Sequence, residues 1–216
     1  MKEIIIRSLT GLLFALVVLG AIMWNTWTNM ALWGLASVMG VAEWRRPQQA
    51  AGILESIGFS LVMVVLSGLL LGMVWDPIQG FDPSLMLAFI LLIWTNDTGA
   101  YLIGKPIGKH KLMPRVSPGK SWEGLLGGMA LASLVASVVL GENFWWVGGL
   151  IGATATAGDL VESAWKRKHG MKDSGAIFPG HGGILDRFDG FLFAVPLFSL
   201  LDFWFQFDST FFKSFL

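Results

Sequence analysis

Residues 57 to 75 read IGFSLVMVVLSGLLLGMVW, an uninterrupted apolar run punctuated only by glycine and serine, with no ionisable side chain. A helix needs ~17 to 25 such residues to cross the hydrocarbon of a bilayer. No water is present there to satisfy backbone N–H and C=O groups, so an apolar stretch of this length closes its hydrogen bonds internally as a helix. Six further runs flank it: Leu9 to Trp24, Met30 to Trp44, Pro83 to Ile103, Trp122 to Leu140, Phe144 to Glu162 and Arg187 to Phe207. Trp24, Trp27, Trp44, Trp75, Trp122, Trp145 and Trp146 stand at the ends of runs, where amphipathic rings favour the headgroup layer. The 216 residues are 54% hydrophobic and 14% charged, against about 25% charged in a soluble domain. That balance argues against a soluble globule. The expected fold is all-α, a single polytopic membrane domain of about seven helices.

The first run follows Lys2 and Arg7, as a signal peptide would, but ends in MWNTW without a small-residue cleavage site, and it reads as a retained helix. Cysteine is absent, which excludes disulfides, thiolate nucleophiles and thiolate metal sites. Any metal must be held by oxygen or histidine. Alternating seven helices across the bilayer places 14 of the 15 basic residues on one side, with Lys213 alone on the other. The positive-inside rule makes that side cytosolic, giving an N-in/C-out topology. Two cytosolic loops result, 104–121 and 163–186. The first holds prolines and glycines that argue for irregular structure, with Ser117-Pro118 read as the entry to the next helix.

Asp97, Glu123, Asp159, Glu162, Asp186 and Asp189 lie at the cytosolic ends of the later runs, in or beside apolar sequence. Ionisable groups at such depths are costly and are paired, liganded or wetted, which makes them functional candidates. Asp159 shares a helix face with Glu162 and Ser163, and Asp186 with Asp189. If their helices are neighbours, up to four carboxylates converge, and that many anions require cations. Mg²⁺, with one or two carboxylates plus substrate phosphates, is the natural partner. Ion pairs with Lys166, Arg167 and Arg187 are the competing explanation, Glu162 and Lys166 being spaced for one.

Just beyond stands WKRKHGMKDSG, residues 165–175, a basic stretch suited to anchoring on anionic lipid or to clamping phosphate. The glycines at 180, 182, 183 and 190 permit close backbone approach. His181 is a possible ligand or phosphate donor. Gly119-Lys120-Ser121 is not a P-loop, because Pro114 occupies the place of the required glycine. Lys120, Ser121 and Glu123 are still expected at a helix start, where phosphate binds favourably. Asn96 and Asp97 interrupt an apolar run, for which helix-to-helix hydrogen bonding is the ordinary reason.

The segment 163–189, SAWKRKHGMKDSGAIFPGHGGILDRFD, resembles the signature of the phosphatidate cytidylyltransferases, or CDP-diacylglycerol synthases. Ser163, Lys166, Arg167, Lys172, Asp173, Gly175, Phe178, Pro179, His181, Gly182, Gly183, Asp186, Arg187 and Asp189 match at the family's spacing. Trp165 departs from the usual aliphatic residue or Phe. NDTGAYLIG at 96–104 and SPGKSWEG at 117–124 are similar to further family segments. The resemblance implies attack of phosphatidate on the α-phosphorus of CTP, with Mg²⁺ required and room in the scheme for a second cation. It implies Asp159, Asp186 and Asp189 as metal ligands and catalytic residues, with Lys166 and Arg167 beside them. Lys166, Arg167, Lys172 and Arg187 are expected at substrate phosphates, Ser117, Lys120 and Glu123 on the nucleotide side, and Ser163, His181, Asn96 and Asp97 among the substrate-binding residues. Partners implied are CTP, phosphatidate and membrane lipid, no nucleic acid, and a homodimer. The implied location is an integral membrane one, the inner membrane for a bacterial protein, with the active site facing the cytosol. A CTP-dependent enzyme on another lipid phosphate or alcohol, such as a CDP-archaeol synthase or a lipid kinase, is the near alternative. A transporter is the distant one, disfavoured because the acids cluster at one end and no repeat is visible.

Overall fold

The computed structural model describes residues 2–46, 53–76, 80–178, 182–207 and 209–213. Among the described residues the architecture is all-α with two small hairpins. The helices are α1 (Lys2–Trp24), α2 (Thr26–Arg45), α3 (Ile53–Gly72), α4 (Ser84–Ile107), α5 (Trp122–Val139), α6 (Trp145–Lys168), α7 (Leu185–Phe188), α8 (Phe191–Phe205) and α9 (Thr210–Lys213). Strands β1 (Trp75–Asp76) and β2 (Gly80–Phe81) pair antiparallel, as do β3 (Lys111–Met113) and β4 (Ser117–Ser121).

The seven apolar runs correspond to α1 through α6 and α8. Four segments among the described residues are long and apolar enough to cross a membrane: Glu55–Gly72, Ser84–Ile107, Trp122–Val139 and Leu185–Phe205. Seven were expected. Leu9–Trp24 is a further apolar stretch, lying within the 23 residues of α1. In α2, Asn29, Glu43 and Arg45 dilute the apolar character, and in α6 Thr154, Thr156, Asp159 and Glu162 do the same. The protein is an integral membrane protein on these spans.

Residues 104–121 are more ordered than the irregular loop expected from their composition. α4 continues to Ile107 with Pro106 inside its final turn, and β3 and β4 follow. Pro118 is in β4 rather than in a first helical turn, and α5 begins at Trp122. The hairpin is closed by Trp122 N–H donating to the His110 carbonyl at 2.9 Å. Likewise 163–168 is the end of α6 and 185–186 the start of α7, so the second loop is shorter than 163–186.

The chain forms two compact units, 1–83 with 166–189, and 84–165 with 190–216. In the first, Asn25 caps α2 by accepting from Thr28 N at 3.0 Å. Asn29, fully buried, donates to the Ala21 and Ile22 carbonyls at the end of α1 at 3.1 and 3.0 Å. The four orphan carbonyls that a helix end leaves are thus partly satisfied by the next helix. Ser37 and Ser67 hydroxyls lie 2.6 Å apart and link α2 to α3. Phe188 of α7 packs on Phe14 and Trp33, with ring centroids 5.7 and 5.3 Å apart.

In the second unit α4 and α5 meet through glycines. A Cβ built on Gly99 would stand 3.1 Å from the Gly128 Cα, and one on Gly104 3.1 Å from the Gly124 Cα. Small residues at a membrane-helix interface let backbones approach and gain dispersion contact that lipid cannot supply. Phe89 and Phe198, both fully buried, form the aromatic centre with Phe191. Ser121 caps α5, its hydroxyl accepting from Gly124 N at 3.1 Å. Replacing it by Ala is expected to destabilise the α5 start by ~1 kcal/mol, read as a lowered melting midpoint of the detergent-solubilised protein.

Candidate functional site

Asp186 is the second residue of α7, a helix of only four residues. Its Oδ2 accepts from Gly183 N at 2.7 Å, Ser174 N at 2.8 Å and the Ser174 hydroxyl at 3.0 Å. Its Oδ1 accepts from the Lys166 ammonium at 2.5 Å. The Lys166 and Asp186 side chains are 8% and 6% exposed, so this is a buried ion pair rather than a surface contact. A buried carboxylate is tolerable only with such pairing and hydrogen bonding. The glycines of the signature are what allow it. Gly182 has φ +80°, a left-handed conformation costly for other residues, and a Cβ there would overlap the Asp186 carboxylate.

In the second unit Asp159, on α6, forms an ion pair with Lys120 of β4, and its Oδ1 accepts from the Ser163 hydroxyl at 3.1 Å. The shared face expected of Asp159 and Ser163 is present. The hairpin therefore brings a lysine to the helix acid, an arrangement that local spacing could not reveal. Glu123, in the first turn of α5, accepts from His110: the ring Nδ1 is 2.6 Å from Oε1, and the His110 N–H donates at 3.2 Å. Ser117 lies on β4 opposite Met113.

Other expected residues fall as follows. Asn96 is fully buried at the close approach to Gly128 and Gly152, where an added Cβ would overlap its amide, which is the helix-packing role. Asp97 beside it is exposed, its Oδ1 3.4 Å from Asn96 Nδ2. Arg167 is exposed and donates from Nη1 to the Met171 carbonyl at 2.8 Å. Lys172 is exposed, while Arg187 and Asp189 are half-buried. His181 lies outside the described residues. The four expected carboxylates divide between the units, Asp159 and Glu162 in one and Asp186 and Asp189 in the other. Among the described residues no group of three or more acidic or histidine side chains is gathered for a metal.

One residue of this site escaped the sequence reading. Glu43, near the end of α2, is 1% exposed and accepts from the Ser174 hydroxyl at 2.8 Å and from Ile184 N and Leu185 N at 3.0 Å each. The signal was there: an acid within the run Met30 to Trp44 meets the same depth criterion that singled out Asp97 and Asp159.

A membrane helix protein with a glycine-built cradle around a lysine-paired aspartate in 163–189 defines the class, and the chain belongs to the Cytidylyltransferase family, whose profile matches residues 47–205. Among named relatives, the phosphatidate cytidylyltransferases of Staphylococcus aureus (strain COL) and Staphylococcus epidermidis (strain ATCC 12228 / FDA PCI 1200) are each 49% identical to it over 119 residues. That of Staphylococcus haemolyticus (strain JCSC1435) is 48% identical over 119 residues. Each alignment covers 51% of this chain and 46% of the relative, so the chain spans about half the length of the curated relatives it matches.

Proposed function

We propose that this protein transfers CMP from CTP to phosphatidate, forming CDP-diacylglycerol and pyrophosphate. The observation that carries the reading is the family signature at 163–189, with its buried, cradled Asp186 paired to Lys166. Relatives named for that reaction support it. A phosphate oxygen of phosphatidate forms a bond to the α-phosphorus of CTP as the bond from that phosphorus to the bridging oxygen breaks, and pyrophosphate departs with the electron pair. A phosphate monoester is mostly dianionic near neutrality, its second pKa being about 6. The attacking oxygen is therefore already deprotonated and no strong general base is required. The work left to the protein is alignment and charge neutralisation.

Asp159, Asp186 and Asp189 supply only hard carboxylate oxygens, a donor chemistry that fits Mg²⁺, and two carboxylates suffice when substrate phosphates complete the shell. Mg²⁺, when bound, would neutralise phosphate charge. In this reading the carboxylates of Asp159, Asp186 and Asp189 would hold the ion, and Lys120 and Lys166, which pair with Asp159 and Asp186, would supply positive charge to substrate phosphates. Lys172, Arg167 and Arg187 add positive charge for pyrophosphate, and Ser117, Ser163, Glu123, Asp97 and His181 border the substrates. Seven helices in an N-in/C-out arrangement, an active site facing the cytosol of a bacterial inner membrane, and a homodimer belong to the same proposal. The topology and the cytosolic side are supported by the segregation of basic residues along the sequence.

The test uses purified protein in lipid with CTP labelled at the α- or γ-phosphate, Mg²⁺, and phosphatidate or its ether-linked prenyl analogue. Lipid-soluble label from the α position with pyrophosphate release is expected with phosphatidate. Preference for the analogue would assign a CDP-archaeol type of substrate. Transfer of the γ label would make the protein a lipid kinase and overturn the reading.

A further inference from the structure

α7 has four residues, far short of a length that is stable alone. Its N-cap residue, Ile184, has no side-chain acceptor for the opening N–H groups, a place normally held by Ser, Thr, Asp or Asn. The acceptor comes from another part of the chain. Glu43 of α2 receives the Ile184 and Leu185 N–H groups, one on each carboxylate oxygen, at 3.0 Å. Gly175 and Gly183 lie so close that a Cβ on either would overlap the Glu43 carboxylate. The cradle is thus wrapped around Glu43.

Ser174 relays this constraint. Its hydroxyl lies 2.8 Å from Glu43 Oε2 and 3.0 Å from Asp186 Oδ2, while its N–H donates to Asp186 at 2.8 Å. A hydroxyl carries one proton, so the two buried carboxylates share it. The geometry points to Glu43 as a positioning residue that fixes Asp186, through Ser174 and the capped start of α7, in the orientation its chemistry needs. Glu43 lies before the family match at 47–205 and outside the signature. Partners of this kind, one step behind a ligating group, change metal affinity or activity about 10- to 100-fold when removed. The kinetic part rests on the reading proposed above; the structural part does not.

The experiment compares the full chain with Glu43→Gln, Glu43→Asp, Ser174→Ala and the double variant Glu43→Gln/Ser174→Ala, all in lipid nanodiscs. Amide exchange in peptides spanning 174–188 is expected to accelerate about tenfold or more in Glu43→Gln, with peptides of 84–165 unchanged. The Mg²⁺ concentration for half-maximal CMP transfer should rise about 10- to 100-fold in Glu43→Gln and move in the same direction in Ser174→Ala. Glu43→Asp, which keeps the charge, should recover part of both effects. The double variant should be little worse than Glu43→Gln, as expected of residues acting in series. Unchanged exchange at 174–188 would overturn the proposal. So would faster exchange with an unaltered Mg²⁺ requirement, which marks a merely structural carboxylate. If Glu43→Gln does not fold, Ser174→Ala decides alone, because it leaves the α7 cap intact and removes only the relay. If the parent protein transfers no CMP, the function proposed above fails, and Mg²⁺-induced slowing of exchange at 174–188 takes the place of kinetics. Slowing in the parent that is lost in Glu43→Gln supports the assignment, and equal behaviour in both refutes it.

Discussion

Asp186→Asn is expected to lower CMP transfer about 100- to 1000-fold, the scale for losing an electrostatic group at a reacting centre, while the protein still inserts and can be purified. Asn keeps the shape of the side chain and one acceptor oxygen, which in the place of Oδ2 still receives both Gly183 N and Ser174 N. It removes the charge that balances the Lys166 ammonium, which is 8% exposed. Breaking a buried pair from one side costs about 3–5 kcal/mol, because the remaining charge stays in a poor dielectric. Asp186→Asn should therefore also melt at lower temperature. Adding Lys166→Met removes the other charge of the pair and should restore part of the stability without restoring activity. The two measurements separate chemistry from folding. Activity near that of the parent in Asp186→Asn would sink the assignment of Asp186 to the reacting centre.

Gly148→Ala is the second large effect, and it acts on the scaffold. Gly148 of α6 lies against the backbone of α5, where a Cβ would stand 2.6 Å from Ser133 N and would overlap the Ala132 carbonyl. Backbone cannot rotate aside as a side chain can, so the helices must part. Overpacking of a tight contact costs about 1–3 kcal/mol or more. A marked fall in melting midpoint is expected, with the KM for CTP unchanged in whatever protein remains folded. The adjacent Gly149→Ala is the internal control: its Cβ would meet the Ser133 hydroxyl at 2.9 Å, a group that can turn away. An equal loss in both variants would show that helix contact at Gly148 is not the cause.

Sequence alone was a good guide to some features and blind to others, for identifiable reasons. Hydrophobic runs marked the long helices because burial in lipid acts on every residue of a span at once. The hairpin 111–121 was read as loop because Pro and Gly suppress the helical pattern, while the cross-strand pairing of Lys111 with Ser121 leaves no local trace. Lys120 and Asp159 were each singled out, but their partnership depends on how β4 folds beside α6. Glu43 carries the same local signal as Asp97, an acid within an apolar run, but its partners Ser174, Ile184 and Leu185 lie more than 130 positions away and only the fold identifies them.

What the sequence determined by itself was the class of protein and the segment that matters: apolar periodicity, the placement of basic residues and the spacing within 163–189 are local quantities, set residue by residue. What only the tertiary structure decided was which acid meets which cation and what holds Asp186 in place. Those depend on close backbone approach at glycines and on hydrogen bonds between distant parts of the chain. Burial makes each such contact obligatory, because a charge or N–H withdrawn from water must find its partner wherever the fold brings one.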